Sequence, residues 1–127
     1  MHGGGPRQMK NRRFAVRLGF AVAGIRLVFA REKSFRSQCS LGAVAALVTL
    51  ALRPDPLWWA LIALSIALVL TLELANSAFE YLLDHLHPDL AREIGAAKDA
   101  AAGAVLVASL AAAAVGGLML LAALGRA

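Results

Sequence analysis

The chain has 127 residues, 60% of them hydrophobic, with a mean hydropathy of +0.69 and a formal net charge of +5. That length allows one domain, and the apolar excess argues against a water-soluble fold and for a membrane protein. A single cysteine, Cys39, excludes an internal disulfide; it lies in an apolar run and is assigned no role.

In chain order, residues 1–10 read as a disordered leader. Residues 11–33 read as an interfacial helix, because Phe14, Leu18, Ala21, Val22, Ile25, Val28 and Phe29 follow the three-and-four spacing of one face. Arg13, Arg17, Gly24 and Arg31 occupy the other. Arg17 and Arg26 interrupt what would be the apolar core of a signal peptide, which argues against one. Nine of the thirteen Lys and Arg residues lie in residues 1–36 against one acid, Glu32, a local balance of +8 that leaves −3 for the rest. The positive-inside rule then puts the N-terminus in the cytoplasm, and anionic lipid headgroups explain the basic segment better than nucleic acid does.

Three spans follow, at 35–52, 57–83 and 98–125. Residues 37–52 and 57–72 are uncharged runs of 16, short of the roughly 20 residues a hydrocarbon core needs unless their flanks contribute. Arg53, Pro54, Asp55 and Pro56 separate them as a tight hairpin, since the prolines cannot continue one helix and Pro56 suits the first turn of the next. Residues 100–125 carry no charge over 26 positions, about 39 Å of helix. Ala and Gly crowd this last span, which suits close packing between helices and favours an oligomer. The expected fold is an all-α membrane protein, with an N-terminal amphipathic interfacial helix and three transmembrane helices forming one domain over 1–127.

The stretch from Glu73 to Asp84 carries the chemistry. At about 100° per residue, Asn76, Glu80 and Asp84 project within roughly 60° of Glu73, so four polar groups line one stripe of an apolar helix. An ionised side chain at the bilayer centre costs about 2.5–3.5 kcal/mol even on insertion scales, which makes a functional reading the default for Glu73. Counted from Leu57, Glu73 falls about 24 Å along the helix, near the cytoplasmic edge of a core roughly 30 Å thick. Clustered carboxylates repel one another without a cation, and oxygen donors from Glu and Asn suit a hard ion such as Mg²⁺. The plainer alternative is a solvated helix end, which fits Asp84 better than Glu73. His85 and His87 straddle one residue, poor geometry for a shared metal site on a helix, and read as loop histidines. Lys98, at the start of the last span, suits either headgroups or phosphate oxygens. The sequence contains no P-loop and no kinase Gly-rich loop.

Glu73, Asn76, Ser77, Ala78 and Glu80, followed by Asp84 and then by Ala97, Lys98, Asp99, Ala104 and Val105, resemble the prokaryotic diacylglycerol kinase and undecaprenol kinase family. The resemblance extends upstream through Gly24, Arg26, Glu32, Phe35 and Arg36 and covers roughly residues 10–125. It implies an ATP-dependent lipid kinase of the bacterial inner membrane, working as a homotrimer with sites shared between subunits. By position it implies Glu73 as general base, Glu32 and Glu80 as Mg²⁺ ligands, and Arg13, Asn76, Asp89, Lys98 and Asp99 around ATP. The lipid would lie near Arg26, Ser34, Phe35 and Gln38. Gln38 stands where Gram-negative diacylglycerol kinases have a glutamate, and the Ala-rich start of the last span resembles the undecaprenol branch, so the acceptor is either lipid alcohol.

Two other classes compete. A small oligomeric transport or proton-relay protein would also use an intramembrane Glu73, but has no use for Glu32, Glu80, Lys98 and Asp99 as a phosphate-binding set. A structural scaffold leaves the carboxylate stripe unexplained.

Overall fold

The structure is a computed structural model that describes residues 6–89 and 91–126, with side chains from Arg13 onward. Four helices follow in order: α1 (Pro6–Arg31), α2 (Lys33–Leu52), α3 (Pro56–Leu86) and α4 (Arg92–Leu124). The last three are long and apolar enough to cross a membrane. Their chain order, joined by short connections, makes α2, α3 and α4 an up-and-down bundle.

Glu32 divides α1 from α2 by adopting an extended backbone, φ −107° and ψ 109°. Helical hydrogen bonds reach it from both sides: its N–H donates to Val28 O at 2.8 Å, and its own carbonyl accepts from the Arg36 N–H at 3.2 Å. The Arg36 guanidinium folds back to donate to Phe29 O and Ala30 O at 2.8 and 3.0 Å, satisfying carbonyls that the end of α1 leaves without helical partners. Phe29 and the buried Phe35 meet edge to face across this elbow, their ring centroids 6.4 Å apart. The interfacial helix expected at 11–33 therefore ends at Arg31, because one extended residue breaks it. Residues 6–10, expected to belong to a leader, are helical; residues 1–5 lie outside the described residues.

The expected spans at 35–52, 57–83 and 98–125 all gain residues at their N-terminal ends. α2 recruits Lys33 and Ser34 to reach 20 residues, about 30 Å, which answers the shortfall of its uncharged run. α3 begins at Pro56 and runs on to Leu86, and α4 begins at Arg92, since Glu93, Ala96 and Ala97 favour helix and nothing before Lys98 breaks it. At the hairpin, Arg53 takes the left-handed conformation, φ 47°, while its N–H still donates to Thr49 O. Asp55 then opens α3 with Pro56 at its first position. Arg126, just past α4, reaches Asp55 at 3.2 Å, which brings the far end of α4 back to the hairpin.

α4 packs most extensively on α3, and α2 packs on α3 through Gly42. A Cβ at Gly42 would stand 3.1 Å from Ile66 Cγ2, so a larger residue there requires Ile66 to shift. The buried core is thin: Val28, Phe35, Ile62, Val69, Ala108 and Met119, with the polar Thr49, Glu73 and Ser77. Thr49 is fully enclosed and its hydroxyl donates to Ala45 O at 2.7 Å. Phe14, Phe20, Leu47, Leu64, Val107 and Leu121 are all exposed, an outer surface suited to hydrocarbon or to other helices rather than to water.

Candidate active site

At the end of the bundle opposite the hairpin, the elbow at Glu32 meets the C-terminal half of α3. The second residue of α2, Ser34, donates its hydroxyl to Glu73 Oε1 at 2.9 Å, a bond spanning 39 positions of sequence. Glu73 is only 4% exposed and Ser77, one turn on, 3%. A carboxylate is thus held inside an apolar bundle with an alcohol on one oxygen. The continuation of the same row, Tyr81, donates its phenol to Glu32 Oε1 at 2.8 Å. Glu32 is available for this contact because its side chain makes no helix-capping hydrogen bond. The Arg31 guanidinium lies over the Tyr81 ring, 5.7 Å from its centre.

Glu80, the neighbour of Tyr81 in sequence, is half-buried, and its carboxylate and that of Glu32 both lie within electrostatic reach of the Tyr81 phenol. Asn76 Oδ1 is buried with no hydrogen-bond partner, the one such side-chain atom among the described residues. A buried amide oxygen without a donor is a cost that a cation or an incoming donor would relieve. Among the described residues no three His, Cys, Asp or Glu side chains converge as a metal site. Two carboxylates and an amide oxygen nevertheless fit Mg²⁺, which takes one or two carboxylates and completes its shell with water and substrate phosphates.

Lys98, in the second turn of α4, forms an ion pair and hydrogen bond with Asp84. Their side chains are 28% and 62% exposed, so the tether is a surface pair. Gln38, one turn along α2 from Ser34, donates to Ser109 Oγ at 3.3 Å. Both line a cavity of about 350 Å³ between α2, α3 and α4, walled mainly by small and apolar residues such as Gly42, Ala45, Val69 and Ala112. The cavity begins one turn from the Ser34–Glu73 pair on each helix, since Gln38 and Val69 are both in its wall.

The expected site residues therefore separate into two groups. Glu73 comes together with Ser34, and Glu32 with Tyr81, the sequence neighbour of Glu80, with Asn76 on the same helix and Lys98 tied to α3. Arg13, Arg26, Asp89 and Asp99 are exposed and make no side-chain hydrogen bond or ion pair among the described residues. Phe35 is buried in the elbow. Tyr81 is not expected from the sequence; its signal is the row of three residues at four-residue spacing, Glu73, Ser77 and Tyr81, adjacent to the polar stripe.

The profile of the prokaryotic diacylglycerol kinase family matches residues 19–120, a range that contains the elbow, the carboxylate stripe and the Lys98–Asp99 pair. The chain belongs to this family. Three curated relatives carry the name diacylglycerol kinase. The one from Synechocystis is 38% identical over 103 residues, 80% of this chain and 59% of the relative, so the chain spans less than two thirds of that protein's length. Those from Haemophilus influenzae and Escherichia coli K12 are each 30% identical, over 70% and 71% of this chain and 75% and 74% of their own lengths. As a member of a family of membrane lipid kinases with three apolar helices long enough to span, the chain is a multi-pass membrane protein.

Proposed function

We propose that the chain is an ATP-dependent lipid kinase that phosphorylates a membrane alcohol, diacylglycerol or undecaprenol, with diacylglycerol favoured by the names of the relatives. The observation that supports this most is Glu73: a buried carboxylate, already accepting a hydrogen bond from an alcohol, at the bundle end that also carries Glu32, Glu80 and Lys98. A general base must stand within about 2.6–3.2 Å of the oxygen whose proton it takes, and Glu73 holds Ser34 at that range.

In this reading the acceptor hydroxyl approaches Glu73 with its tail directed to the cavity beside Gln38. Glu73 takes the hydroxyl proton as the oxygen attacks the γ-phosphorus of ATP, and ADP leaves in line. Lys98 turns from its exposed pair with Asp84 toward phosphate oxygens together with Arg13, while Asn76, Asp89 and Asp99 line other parts of the ATP site. Glu32 and Glu80 are the residues that would hold Mg²⁺, which supplies neutralising charge on the phosphates. The basic N-terminal segment supports a cytoplasmic N-terminus in an inner membrane, where ATP is available, with α1 against anionic headgroups. The family resemblance implies a homotrimer as the working unit, and the exposed apolar faces leave surface for packing between copies.

The test is transfer of labelled phosphate from ATP to each lipid by the purified chain in reconstituted membranes. Phosphorylated lipid is the expected product, with less than a hundredfold difference in kcat/KM between the two acceptors, since a site that recognises mainly the hydroxyl discriminates weakly between apolar tails. No transfer to either lipid would remove the proposal.

A further inference from the structure

Ser34 joins α2 to the proposed base Glu73 by a hydrogen bond, and the chemistry of the contact is specific. Ser34 Oγ is an alcohol oxygen 2.9 Å from Glu73 Oε1, donating its proton to it. An acceptor alcohol has to make the same bond to the same carboxylate before it can react. Glu73 makes no other side-chain hydrogen bond among the described residues and is nearly closed to the outside, so its approach is from the side where Ser34 stands. Ser34 itself is exposed and belongs to the first turn of α2, beside the extended Glu32, where its hydroxyl can rotate away without breaking a packed core.

We infer that Ser34 is a resident alcohol that occupies the acceptor position of Glu73 until a lipid hydroxyl replaces it, and that it thereby keeps water from the base. The inference rests on Glu73 as general base. When the position is open to water, the water oxygen attacks the γ-phosphorus of ATP, its proton passes to Glu73, the bond from that phosphorus to the β–γ bridging oxygen breaks, and the products are ADP and inorganic phosphate. The Ser34 hydroxyl satisfies the carboxylate in the absence of lipid and denies water that place. The lipid hydroxyl exchanges for it one hydrogen bond for another, so the lipid is admitted where a single water is not: its tail adds apolar contact in the cavity one turn away.

The experiment compares the full-length chain with Ser34→Ala and Ser34→Thr in lipid-free detergent and in diacylglycerol-containing mixed micelles, each with Mg·ATP. Ser34→Ala is expected to raise lipid-independent ATP hydrolysis about tenfold, the size of one hydrogen bond to a charged group, and to lower the KM for diacylglycerol. Ser34→Thr, which keeps the hydroxyl, is expected to suppress hydrolysis as the parent chain does. A residue that only orients Glu73 would instead lose kcat in Ser34→Ala with hydrolysis and KM unmoved, and that result would overturn the inference. So would a phosphoryl mass increment on Ser34 after incubation with Mg·ATP alone, because it makes the serine a substrate rather than a guard. The double variant Ser34→Ala with Glu73→Gln separates the two readings: hydrolysis that stays high in it removes Glu73 as the base, whereas hydrolysis that falls with Glu73 while Ser34→Ala alone raised it sustains both.

Discussion

The Tyr81 phenol donates to Glu32 Oε1 at 2.8 Å and ties the α1–α2 elbow to the end of α3, 49 positions away. The bond takes one oxygen of the carboxylate and fixes the direction of the other. Groups that orient a metal ligand in this way commonly change metal affinity by about 10–100-fold when removed. Tyr81→Phe is therefore expected to raise the Mg²⁺ concentration needed for half-maximal activity by about tenfold, and to weaken Mn²⁺ binding measured by electron paramagnetic resonance to a similar degree. Unchanged titrations in both measurements would show that Tyr81 serves only to hold the elbow.

Lys98 is bound to Asp84 by an exposed pair, and such pairs contribute about 0.2–1 kcal/mol. Asp84→Asn should therefore leave the unfolding midpoint in detergent nearly unmoved. Lys98→Ala should raise the KM for ATP about tenfold or more, the expected loss of a hydrogen bond to a charged phosphate. Equal KM values in Lys98→Ala and the parent chain would return Lys98 to a role at the headgroups.

Gly42 faces α3, with 3.1 Å between a would-be Cβ and Ile66 Cγ2. Gly42→Val should destabilise the bundle by about 1–3 kcal/mol, the usual cost of overpacking, measured by denaturant unfolding in micelles. A variant as stable as the parent would mean that Ile66 turns aside without strain.

Sharing of the site between subunits is open to a complementation test. Mixing Glu73→Gln and Lys98→Ala protomers should restore activity if base and phosphate contact come from different chains. No rescue in verified mixed oligomers would place both in one chain.

Much of the architecture was legible because membrane spans carry a strong signal: the Arg53–Pro56 breaker and the uncharged run from Ala100 appear directly as the hairpin and α4. The ends of the helices were less legible. α2 starts at Lys33 and α4 at Arg92, since charged residues flanking an apolar run do not stop a helix and only the extended Glu32 backbone does so at the elbow. In the candidate site, Glu73 was visible as a charge in an apolar run, whereas Tyr81 and Ser109 were not. A tyrosine or serine costs little to bury in a helix, and its role emerges only when the partner, Glu32 or Gln38, is brought from a distant segment.

The central claim is that Glu73 removes the proton from the acceptor alcohol, and Glu73→Gln tests it most directly, since the amide keeps the size and a hydrogen bond to Ser34 but cannot act as a base. Phosphate transfer from labelled ATP to diacylglycerol should fall at least about a hundredfold in this variant, the ordinary contribution of general-base catalysis, while the variant purifies in the same oligomeric form as the parent chain. A folded Glu73→Gln chain that phosphorylates diacylglycerol at close to the parent rate would contradict the account.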